Sequence, residues 1–170
     1  MALIARFSLK LPAIPLLHPA QARTILSREV GTAVTGIVEE IAADVRANTP
    51  VGATGIARAA VATRVMQGID ARVLVQAEVY TGRQAPYWQY IEEGRAPGKT
   101  PPWGEGSNLR LWVQRVVGDI SRTFVIARAI GRRGIRARHI FRNALARIRP
   151  TIQPRVQAAV DRAARLLGGR

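Results

Sequence analysis

The sequence contains no cysteine and only two histidines, His18 and His139, in 170 residues. The first absence excludes disulfides, thiolate metal sites and cysteine nucleophiles, and it suits a chain made in a reducing cytoplasm. The second excludes a histidine-rich zinc site. Lysine is nearly missing as well: Lys10 and Lys99 are the only two among 26 cations, and the rest are arginine. Acids are scarce, eleven in all, so the formal charge is +15. Such a charge bears on partners and solubility rather than on fold. No stretch approaches the roughly 18 apolar residues a bilayer span needs. Arg6 and Lys10 interrupt the apolar residues between Met1 and Pro15, which leaves no signal-peptide core. The expectation is a soluble, cytoplasmically made protein that binds no membrane.

An apolar fraction of 48% is enough to fill one core, which argues against wholesale disorder. The length suits a single domain spanning 1–170. The charge is unevenly placed within it. Residues 1–90 carry nine basic and six acidic side chains, whereas residues 91–170 carry seventeen and five. The cationic character therefore belongs to the second half. Arginine makes forked contacts with carboxylates and phosphates, although a GC-rich coding sequence equally favours it.

Periodicity predicts an α+β fold: a small antiparallel sheet, with strands near 2–10, 58–67 and 70–80, packed by a long N-terminal helix and several C-terminal helices. Leu3, Ala5, Phe7 and Leu9 alternate with Ile4, Arg6, Ser8 and Lys10. Leu26, Val30, Val34, Ile37, Ile41 and Val45 step by three and four through a helix over about 20–47, in which Gly31 and Gly36 are weak points. Val61, Thr63 and Val65, then Val73, Val75, Ala77 and Val79, read as a hairpin turning at Gly68-Ile69-Asp70. The stretch from Arg95 to Gly106 holds three prolines and three glycines and reads as an exposed, mobile loop. It closes a strand–helix–hairpin core over 1–106, and 107–170 is helical and basic. Ser107 is placed to cap a helix whose apolar face is Leu109, Trp112, Val113, Val116 and Val117. Ser121 is placed to cap a second, ending at Gly134. A third runs through Phe141, Leu145, Ile148, Ile152, Val156, Val160, Ala163 and Leu167, and Pro150 and Pro154 should kink or split it.

The chemistry of the residues points away from catalysis. Gly98-Lys99-Thr100 has the tail of a phosphate-binding loop, but Glu93 stands where the motif needs glycine, and Pro101-Pro102 occupy the required helix start. Glu92 and Glu93 are chain neighbours, which usually diverge rather than converge on one proton, so a solvated or partner-facing pair is the better reading. His139 lies among Arg136, Arg138 and Arg142 and reads as a helix-terminal or packing residue. His18 reads as loop. No nucleophile elbow or zinc-protease motif occurs. No catalytic residue, metal or cofactor is assigned.

Two surfaces remain. Arg128, Arg132, Arg133, Arg136, Arg138 and Arg142 form a dense cationic stretch, fit to face a DNA channel or an acidic partner. Without interleaved aromatics or a readable helix-turn-helix, any DNA contact should be non-specific phosphate contact. Tyr87, Trp88, Tyr90, Glu92, Glu93 and Trp103 are candidates for a subunit interface.

Four segments in order carry a resemblance. They are Ala47-Asn48-Thr49-Pro50-Val51 with Thr54-Gly55, Tyr87-Trp88-Gln89-Tyr90-Ile91-Glu92-Glu93-Gly94, Ala96-Pro97-Gly98-Lys99-Thr100-Pro101-Pro102, and Arg138-His139-Ile140-Phe141-Arg142-Asn143-Ala144-Leu145. Together they resemble the small neck and tail-completion proteins of long-tailed bacteriophages, the head–tail joining group related to the lambda minor tail protein Z. The resemblance implies a non-enzymatic virion protein, assembled in the host cytoplasm into a homo-oligomeric ring, with six-fold symmetry usual. It further implies that the ring contacts other neck and tail proteins and surrounds genomic DNA. The loop over 95–106 would order on docking. The alternative left by the residues alone is a cellular, basic, non-specific nucleic-acid-binding module.

Overall fold

The computed structural model describes residues 4–10, 19–52, 54–67, 73–85 and 87–168. Three strands, β1 (Ile4–Lys10), β2 (Val61–Gln67) and β3 (Val73–Thr81), form an antiparallel sheet in the order β1-β3-β2. The α+β reading thus holds, with β2 beginning at Val61 rather than 58 and β3 running one residue past 80. Residues 58 and 59 belong to a short helix α2 (Ile56–Ala59), not to a strand. Positions 2, 3 and 70–72, the turn at 68–70 and His18 lie outside the described residues.

The long helix α1 (Pro19–Asn48) is unbroken despite Gly31 and Gly36. Tertiary burial outweighs the local cost of two glycines, about 1 kcal/mol each. Val30, Val34, Ile37, Ile41 and Val45 are buried, as are Val38 and Ala42, so the apolar arc is wider than one stripe. The width has a cause. One side of α1 packs on β2 and β3, and another packs along α6 (Ile140–Leu166). The sheet, α1 and α6 therefore form three layers around one core. In β3 the alternation of Val75, Ala77 and Val79 faces that core. The opposite face mixes polar side chains with Ala62, Met66 and Tyr80. There Glu78 is aligned with Arg64 of β2 and with Arg6 of β1 in the strand register.

Pro150 and Pro154 do not break α6. Each proline denies a hydrogen bond to the carbonyl four residues earlier, at 146 and 150. Ala146, Pro150 and Pro154 are all on the exposed side of the helix, where the freed carbonyls are open to solvation.

Residues 96–134 form an arm that leaves and rejoins this body at one point. Arg95 N–H donates to Ile135 O and Ile135 N–H to Arg95 O, both at 2.8 Å. Two glycines permit the crossing. A Cβ on Gly134, at φ 72°, would stand 2.1 Å from Arg95 O, and one on Gly94, at φ 75°, 2.5 Å from Ile135 O. Side chains larger than hydrogen are excluded at such backbone contacts.

The arm contains α4 (Asn108–Trp112), a π turn over Val113–Val117, a 3-10 turn over Ile120–Arg122 and α5 (Thr123–Arg133). Ser107 does cap α4, its Oγ accepting from Arg110 N–H. The predicted apolar face does not survive beyond it. Val113 is buried, but Val116 and Val117 are exposed. The π turn adds residues to one turn and rotates those positions off the face. Ser121 is not a cap; Asp119 Oδ1 accepts from both the N–H and the hydroxyl of Ser121. The stretch over 95–106 is tied down rather than free-standing. Gly98 N–H donates to Gly131 O at 2.8 Å, and Arg95 Nη2 donates to Lys99 O at 2.7 Å.

Candidate functional site

The aromatic and carboxylate block folds as a short helix, α3 (Trp88–Glu92), preceded by Tyr87. Its members separate sharply. Trp88 is 1% exposed. Its indole N–H donates to Ala57 O at 2.8 Å, and its ring meets Phe141 edge-on at a centroid distance of 5.2 Å. Glu92 is 5% exposed. Its two carboxylate oxygens accept from Phe141 N–H at 3.0 Å and Arg142 N–H at 3.1 Å. The subunit-interface assignment therefore fails for Trp88 and Glu92, and so does the solvated-pair reading of Glu92. One is core and the other caps the start of α6, where unpaired amides and the positive end of the helix dipole favour a carboxylate.

The cap is supplied from outside because α6 opens irregularly. His139, at its N-cap position, is the one non-glycine residue with positive φ among those described, at 50°, and its side chain makes no cap. Its Nδ1 is buried without a partner. The helix-terminal reading of His139 agrees with this placement. Tyr87, Tyr90, Glu93 and Trp103 remain on the surface. Trp103 packs edge-on against Phe124 at 5.1 Å, so it stands on the arm and away from α3.

The six arginines of the cationic stretch are all exposed. They span the last turns of α5, the link over 134–139 and the first turn of α6. None of the six makes an ion pair among the described residues. That contrasts with the other edge of α6. There Arg147 pairs with Asp44, Arg155 with Glu40 at 2.5 Å, and Arg162 with Glu29 at 3.5 Å. These three pairs form an antiparallel ladder between α6 and α1. At 3.6 residues per turn, Arg142 and Arg149 fall on the opposite flank of α6 from Arg147, Arg155 and Arg162. The sequence reading missed the ladder, although Glu29, Glu40 and Asp44, spaced by eleven and four, already share one helix face.

Gly98-Lys99-Thr100 makes no phosphate cradle, since the Gly98 amide is spent on Gly131 O. Among the described residues no group of three potential ligands could hold a metal ion, and no helix is long and apolar enough to cross a membrane. Comparison with protein-family models, with curated proteins and with solved structures gives no match in any of the three.

Proposed function

We propose that the chain is a structural virion protein of a tailed bacteriophage, a neck or tail-completion component whose copies close into a ring joining head to tail around the DNA channel. The order and spacing of the four segments motivate the reading. The observation that carries it is the segregation of arginines: those facing α1 are paired, whereas Arg128, Arg132, Arg133, Arg136, Arg138 and Arg142 are exposed and have no ion-pair partner among the described residues. A fold that neutralises one cationic edge and leaves another open presents charge to something outside itself. In a ring, that edge faces the phosphates in the channel or an acidic neighbour in the neck, and function is complementarity of shape and charge rather than chemistry.

Light scattering and negative-stain imaging of the purified protein test this. A closed ring with an open centre is the expected result. A monodisperse monomer that never joins purified heads or tails overturns it.

The same unpaired arginines favour a second reading, a cellular nucleic-acid-binding module. Six phosphate contacts give a slope of log K against log[salt] of about −5 for duplex DNA. That slope from a protein that stays monomeric would select the second reading.

A further inference from the structure

The fold brings an aromatic pair to the cationic edge, which the sequence alone does not place beside it. The loop after Arg95 runs along α5 in the reverse direction. Gly98 N–H donates to Gly131 O at 2.8 Å, and Thr100 lies so close that a Cβ on Gly131 would stand 2.8 Å from its Oγ1. Trp103 then reaches Phe124, in the first turn of α5, at a centroid distance of 5.1 Å. The two rings are 45% and 47% exposed. Their planes cross at 66°. In such an edge-on pair one ring presents only its edge, so its own faces stay clear of the other. From Phe124 the same flank of α5 continues to Arg128 and Arg132, each about one turn further on. Both are exposed and have no ion-pair partner among the described residues. An aromatic platform therefore stands at one end of a helix flank that bears two guanidinium groups, separated by about 6 Å of rise.

We infer that Trp103, Phe124, Arg128 and Arg132 bind single-stranded DNA, the aromatic pair stacking on an unpaired base while the arginines hold neighbouring phosphates. Aromatic platforms beside a cationic track are what a single strand needs, since it offers both base faces and phosphates. A duplex would use the arginines alone, because its bases are stacked on one another. Charge favours a polyanion here and disfavours a second copy of this chain. The arm over 96–134 carries seven basic side chains and two acidic ones. Of those acids, Asp119 is already engaged by Ser121 and Arg122. Glu105, exposed two residues from Trp103, leaves the balance positive. All seven cations but Lys99 are arginine, whose planar fork pairs with phosphate and stacks on flat groups.

The inference rests on the DNA-facing reading of this edge and names the form of DNA it takes, so its test is separate from that of the ring. Fluorescence anisotropy of a labelled oligothymidylate of about 20 nucleotides is compared with that of a duplex of the same length. The double variant W103A/F124A should weaken single-strand binding at least about fivefold, the lower end for one stacked base, and change duplex binding less than about twofold, while its circular dichroism stays native. Trp103→Phe, which keeps a stacking face, should retain most of the affinity. R128Q/R132Q should weaken both forms and flatten the slope of log K against log[salt] for the single strand by about 1.4. Equal losses for the two DNA forms with W103A/F124A, or no loss, overturn the stacking site and leave the ring standing. Rings that bind neither form do the same. Displacement of the oligothymidylate by polyglutamate of equal charge overturns it in favour of an acidic protein partner, and tighter binding of oligouridylate overturns it in favour of RNA. Selective single-strand binding by a chain that stays monomeric upholds the site and overturns the ring.

Discussion

Replacing Glu92 with alanine isolates what a carboxylate contributes when it caps a helix from fifty residues away in the chain. The substitution leaves the Phe141 N–H buried and unpaired and removes the acceptor of Arg142 N–H. Losing an N-cap costs about 0.5–2 kcal/mol. Leaving a buried donor unsatisfied costs about 1–3 kcal/mol. A negative charge at a partly buried helix start contributes up to about 2 kcal/mol. These terms overlap, so the expected loss is about 2–4 kcal/mol rather than their sum. For a chain of this length that lowers Tm by roughly 5–15 °C. Glu92→Gln keeps one acceptor oxygen without the charge and should lose about half as much. Urea denaturation followed by circular dichroism and by tryptophan fluorescence measures both, because Trp88 lies one turn from Glu92. The m-value should not change. A loss below about 0.5 kcal/mol for the alanine variant, the range of ordinary surface substitutions, would refute the capping argument.

Four further outcomes follow from the geometry. Gly134→Ala drives a Cβ into the Arg95 carbonyl, so the arm should undock; trypsin should cut within 96–134 far faster than in the parent. Trp88→Ala removes a fully buried indole and should cost about 3–5 kcal/mol in the same denaturation assay. Breaking one rung of the α1–α6 ladder with Asp44→Ala should cost no more than about 1 kcal/mol, and less in high salt, because these pairs are solvent-exposed. The Asp119 carboxyl is held below its ordinary 3.8 by the Ser121 hydroxyl and then the Ser121 amide, with Arg122 adding. A depressed carboxylate stabilises above its unfolded value and loses that contribution as pH falls through the folded one. The 3-10 turn should therefore persist at pH 4 and fray below it, and an NMR titration midpoint for Asp119 above 3.8 would contradict this.

The elements legible in the sequence were those set by local periodicity. The stripe of α1 and the alternation of β3 each face one core, and their spacing alone announces them. The readings that failed depended on partners distant in the chain. Trp88 looks like a surface anchor until Ala57 and Phe141 enclose it. Glu92 looks like half of an exposed pair until the amides of α6 arrive beside it. The prolines of α6 mislead for a related reason, since their cost depends on which side of the helix meets water, and that side is set by packing on α1. The π turn at Val113–Val117 is the hardest case. Its residues fit a regular amphipathic helix, and only the wound backbone shows which of them face solvent. Of the candidate site, the exposed arginines could be named from sequence. Their lack of partners could not, because pairing on the other edge of α6 had to be seen first.

The double hydrogen bond between Arg95 and Ile135 has an evolutionary corollary. A stretch of chain whose entry and exit touch can be lengthened, shortened or traded for another without moving the sheet or the two long helices. Relatives of this protein should then share the three-layer body while differing most in what is mounted on that single joint. Variation there would leave the folding of the body untouched.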